Sequence, residues 1–156
     1  MSKVILDTPQ LDNLEKQIKY LRTHGVKVGI FGTKAEEEHD GTKVVEYAFW
    51  LNGGTLYMPA RPFWDRATQT NVAEKAIEKQ QKAILEQVFK GTITGKQALL
   101  QLGIYISQRI KEMIISNDYE PLKESTIASK DRNINEILRH HDFLLNSVNF
   151  EVVRLW

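Results

Sequence analysis

Apolar residues recur every three or four positions along three stretches of the chain and alternate with polar ones along two others. Leu11, Leu14, Ile18 and Leu21 form the first stripe, with Glu15, Lys16, Lys19 and Arg22 between them, which predicts a surface helix over residues 9–24. Thr8 stands at its N-cap, Pro9 suits the first helical position, and Gly25 suits a left-handed residue after its end. Alternation over 26–31 predicts a strand. The stretch 32–42 is polar, with Glu36, Glu37 and Glu38 in a row between Gly32 and Gly41, and reads as an exposed, mobile loop. Two helical turns are expected over 44–51, then a short strand over 55–58.

Phe63, Ala67, Ala73, Ile77, Ile84 and Val88 place one long helix over 62–89, ended by Gly91, although Thr70, Glu74 and Gln81 interrupt its stripe. A second long helix over 95–116 has Thr94 as its N-cap and a stripe of Leu99, Leu102, Ile106, Ile110, Met113 and Ile114. Leu100, Ile104 and Ile115 widen that stripe beyond one face, so this helix is expected to sit centrally or to join a protein interface. The pattern breaks at 117–121, and the region to Arg139, with polar residues over 130–135, reads as loop. Asp142 is placed to cap a short helix through Ser147, and alternation over 148–153 predicts a final strand. Helices and strands are interspersed without a repeated βαβ order. The expected class is α+β: a small antiparallel sheet packed with a few helices, two of them long, in one domain over 1–156.

Charge and composition narrow the function. The chain has 156 residues, with 21 Lys and Arg against 20 Asp and Glu, so its net charge of +1 offers no global attraction for nucleic acid or acidic membranes. Cysteine is absent, which removes disulfides, thiolate metal sites and cysteine nucleophiles together. No apolar run approaches the roughly 20 residues of a membrane helix. The first seven residues lack the apolar stretch of a signal peptide, so a cytoplasmic protein is expected.

Candidate chemistry is sparse. His140-His141-Asp142 is the most tempting cluster, yet adjacent imidazoles point apart on a helix or a strand, and His24 and His39 complete no metal-ligand spacing. The cluster reads as a polar turn with a helix cap; a metal-dependent enzyme using His140, His141 and Asp142 is the alternative. Residues 36–40 carry cation-ligating types without the alternating acids and central glycine of a calcium loop. Neither a nucleophile elbow nor a phosphate-cradling glycine loop is present, and no cofactor is expected. A nucleic-acid-contacting module would require Lys123, Lys130, Arg132 and Arg139 to converge on one face. Phe63, Trp64, Tyr47, Phe49 and Trp50 read as packing groups. Arg61 is the most distinctive polar residue, because Pro59 and Pro62 stiffen the chain on either side of it. A guanidinium on such a corner makes fork-like bonds to a carboxylate or to carbonyls, either within its own subunit or in a neighbouring one.

Three runs in order, Val45-Glu46-Tyr47-Ala48, Asn52-Gly53-Gly54-Thr55 and Met58-Pro59-Ala60-Arg61-Pro62-Phe63, resemble the tail-completion or neck proteins of tailed bacteriophages. A second block agrees: Pro121-Leu122, Ser125-Thr126-Ile127 and Lys130, then Leu138, Leu144, Asn146-Ser147 and Val148 before the last strand. Two departures stand out. His141-Asp142 occupies the family's threonine–glycine, and Asn52 its usual acidic residue. The resemblance implies a structural virion subunit assembled in the host cytoplasm, working through protein contacts and without catalysis. It further implies a homo-hexameric ring between the head connector or adaptor and the tail terminator or tail tube. It also implies no membrane, and nucleic acid at most as an incidental contact. The motif residues Asn52, Gly53, Gly54, Thr55, Pro59, Ala60, Arg61, Pro62 and Phe63 are its candidate interface.

Overall fold

Helix α6 (Gly95–Ile115) is the central element, with three other helices and both strands of the main antiparallel pair packed against it. The computed structural model describes residues 8–39, 41–131, 136–139 and 142–155. The sequence starts α6 firmly: the Thr94 hydroxyl accepts from the Gln97 amide while the Gln97 side chain accepts from the Thr94 amide. A third bond comes from α1 (Thr8–Thr23), whose Gln17 side chain accepts from the Gly95 amide at 2.8 Å. The fold is α+β, as the patterning predicts, with α5 (Asn71–Phe89) and α6 the two long helices.

Against α6 lies an antiparallel pair, β1 (His24–Gly29) and β4 (Asn149–Arg154), in register from His24 opposite Arg154 to Gly29 opposite Asn149. Contact between helix and sheet is closest at Gly103, where a Cβ would overlap the ring of Phe150. The main core gathers Ala48, Leu51, Phe63, Ala67, Ile110, Ile114, Leu138, Leu144 and Val148. A smaller cluster of Ile84, Val88 and Ala98 lies between α5 and α6 and is closed by Leu21 of α1. Ile104 and Ile115, on the widened face of α6, stay exposed.

Several boundaries differ from the periodic pattern, each for a local reason. Helix α1 ends at Thr23 and passes straight into β1. Gly25 pairs with Val153 in the sheet instead of turning the chain, and the strand starts and stops two residues earlier than alternation suggests. The stretch read as a mobile loop folds into a one-turn helix, α2 (Thr33–Glu36), and a small hairpin of β2 (Glu38–His39) with β3 (Thr42–Lys43). The Val44 amide closes the segment on the Glu37 carbonyl at 2.8 Å, and opposite charges offset the glutamate run, Lys43 pairing with Glu36 at 2.6 Å and Lys34 with Glu37 at 2.9 Å. The long helix expected over 62–89 is two, α4 (Phe63–Thr68) and α5, because extended Thr70 turns its hydroxyl to the Ala73 amide and caps a new helix. Helix α7 (Glu124–Ser129) occupies a region read as loop. Helix α8 (Phe143–Ser147) does follow Asp142, but the carboxylate makes no cap bond; it grips Arg139 through contacts of 2.7 and 3.1 Å.

Candidate functional site

The motif residues lie on the short connection from α3 (Val44–Gly53) to α4. Gly54 leaves α3 at φ 75°, and its missing Cβ admits the Ala60 amide nitrogen, which would otherwise lie at 2.8 Å. Thr55 and Met58 then close a tight turn, with Thr55 Oγ1 accepting from the Tyr57 and Met58 amides. This turn replaces the strand expected over 55–58, and it lifts Leu56 and Tyr57 to 96% and 87% exposure. The chain returns through Pro59 and Ala60. The Arg61 amide donates to the Leu51 carbonyl at 2.7 Å, docking the corner on the end of α3. Pro62 adopts φ −75° and ψ 61°, an inverse γ-turn closed by Phe63 N–H to the Arg61 carbonyl, and Phe63 plunges into the core.

Proline at the N-cap of α4 has no side-chain oxygen to offer. Asn52 supplies one from the last turn of α3: its Oδ1 accepts from the Trp64 amide at 3.0 Å. Asn52 therefore tethers the two helices. The sequence marks Asn52 as a motif and candidate interface residue, but the helix it caps lies inside the longer helix expected over 62–89.

Arg61 is the anomaly of the corner. It is only 5% exposed, and its Nε is buried without a hydrogen-bond partner. Burial pulls its guanidinium below the ordinary arginine value, with Tyr47 and Glu120 acting in the opposite direction. Arg61 lines a cleft of about 490 Å³ between α3, the Thr55 turn and α7, together with Tyr47, Met58, Glu120, Lys123 and Lys130. Lys130 Nζ donates to the carbonyls of Glu136 and Arg139, so this lysine braces the far wall. Burial lowers its pKa, Glu136 raises it, and neighbouring Arg61 lowers it again. The chain matches no protein-family model, no curated protein and no solved structure.

The remaining candidates separate from this cleft. His140 and His141 lie outside the described residues, as does Arg132. Among the described residues no three His, Asp or Glu side chains converge to hold a metal, and no helix is long and apolar enough to cross a membrane. Of the basic residues weighed for nucleic acid, Lys123 and Lys130 share the cleft, whereas Arg139 is paired with Asp142. The aromatic residues divide: Phe63 is core and Trp64 and Tyr47 pack against it, but Phe49 is 75% exposed and Trp50 stands half out. Helical spacing alone read both as packing groups. Both lie on α3, six residues or more before the exposed Leu56 and Tyr57 of the Thr55 turn.

Proposed function

We propose that this chain is a non-catalytic assembly subunit of a tailed-bacteriophage neck or tail end, acting in a homo-hexameric ring between the head connector or adaptor and the tail terminator or tail tube. The observation that carries this reading is the run of large apolar side chains left in solvent at the motif-bearing corner: Phe49, Trp50, Leu56 and Tyr57. Scattered exposed apolar residues are ordinary, but four large ones within nine residues of chain supply apolar area for protein contacts. The corner beneath them is rigid, held by the Arg61–Leu51 and Trp64–Asn52 bonds, so it presents those side chains in a defined arrangement. The resemblance of residues 45–63 and 121–148 to neck proteins supplies the biological setting. The function is then burial and polar matching between subunits in the virion, after assembly in the host cytoplasm.

Electron microscopy of lysates from a phage carrying a null allele tests this reading. Filled heads and polymerised tails are expected to accumulate unjoined, or with unfinished tail ends. Abundant complete, infectious particles would overturn it.

A further inference from the structure

We propose that the cleft lined by Arg61 is a binding site for a carboxylate carried on an apolar stem, with the guanidinium as its anchor. The inference rests on the cleft alone and does not depend on the phage reading.

Three observations carry it. First, a buried guanidinium retains its charge at any physiological pH, so its donors need acceptors once water is excluded. Arg61 has a buried, unpartnered Nε, and among the described residues no carboxylate forms an ion pair with it. Second, the residue is held in place. Its amide is bonded to Leu51, its carbonyl to Phe63, and prolines at 59 and 62 fix the flanking backbone. The side chain is thus presented to the cleft by a stiff frame, and little ordering remains to be done on binding. Third, the walls are mostly hydrocarbon. Leu51, Met58, Pro59, Leu122 and Ile137 line a space of about 490 Å³, within the range of small-ligand pockets.

The charge arrangement selects the anion. A planar guanidinium fork matches a carboxylate in two parallel hydrogen bonds. Lys130 directs its ammonium to two carbonyls, Lys123 lies 3.5 Å from the Tyr57 carbonyl, and Glu120 adds a negative charge to the same lining. That charge repels a dianion such as phosphate more strongly than a monoanion. The acidic side chain also acts as an internal competitor for Arg61. It is exposed, so its removal leaves the core intact.

A free small carboxylate and the carboxylate of a polypeptide share this chemistry, and the test separates them. The ¹⁵N-labelled full chain is titrated with hexanoate and, separately, with acetyl-leucyl-leucine bearing a free C-terminus, each against its amide, while the Arg61 Nε–Hε resonance is followed by NMR. A saturable shift of that resonance with at least one carboxylate is expected, with its amide at least about tenfold weaker. The tighter of the two acids identifies the source. Glu120→Gln is expected to tighten the favoured acid by about threefold, because it removes a like charge from the wall. Arg61→Met, followed instead through the backbone amides of the lining residues Leu51 and Met58, is expected to abolish saturation. Absence of a saturable Arg61 response to either acid in the unaltered chain overturns the proposal. So does equal binding of acid and amide, or binding of inorganic phosphate as tight as that of the better acid. These readouts come from the isolated protein, so their failure leaves the phage reading standing, and the reverse also holds.

Discussion

Asp142 combines two demands in one residue: it sits at φ 58°, where most side chains are strained, and its carboxylate grips Arg139. The hydrogen bond from Arg139 holds the carboxyl below its ordinary value against an opposing effect of burial. A depressed native value means that the pair stabilises the fold above the unfolded pKa of about 3.9 and that this contribution disappears as the pH falls through the lower native value. Asp142→Asn keeps a residue that tolerates the left-handed region. It is expected to cost about 0.5–1 kcal/mol at neutral pH and nothing once the pH is well below 4, measured by urea unfolding across pH. Asp142→Ala should lose about 1 kcal/mol more at every pH, from backbone strain alone. Gly103 makes a sterner test. An alanine there meets the Phe150 ring, and a loss of about 1–3 kcal/mol is expected, partly recovered by Phe150→Leu in the same chain. Neither role was legible beforehand. A glycine between Leu102 and Ile104 looks like a weak helix position, and nothing nearby announces the ring that lies over it.

Elements were legible where local signals agreed with tertiary ones. Helix α6 has a capping box, a full apolar stripe and a stop before Asn117, and it forms within a residue of where the pattern places it. Strand β4 shows clean alternation and is displaced by one residue at each end. Misreadings came where a side-chain bond that periodicity does not register decides the boundary. Thr70 was visible as an interruption, but only its bond to the Ala73 amide turns an interruption into a helix start. Thr70→Ala is expected to lower stability by about 1 kcal/mol, and Thr70→Ser to restore most of it, in thermal unfolding followed by circular dichroism. Asn52→Ala should cost a similar amount, since it uncaps α4 from a distance; Asn52→Asp should retain the bond. The α2 and hairpin segment was hidden because a run of glutamates reads as self-repelling, whereas Lys34 and Lys43 neutralise two of them.

For the whole molecule, the class was readable, the core only in part, since the α1 stripe leaves Leu11 and Ile18 exposed, and the motif-bearing corner only half so. The proline–arginine corner stood out from its residues. The exposure of Phe49 and Trp50 did not, because spacing cannot tell an inward stripe from an outward one on a helix of ten residues, nor did that of Leu56 and Tyr57, which sit in a turn where a strand was expected. If that face joins subunits, Leu56→Asp with Tyr57→Ser should shift the chain toward monomer in sedimentation experiments while its melting temperature holds, since neither side chain supports the core. The pairing of β1 with β4 has a consequence for how the protein is made. Lys27 meets Glu151 across the sheet, 124 residues later in the chain. At about 5–20 residues per second on the ribosome, β1 waits roughly 6 to 25 s for the strand that completes it. Throughout that interval it offers an open edge to any other nascent copy on the same message. Synthesis is thus the period of greatest exposure to mispairing, and a stop codon anywhere before Asn149 would make it permanent.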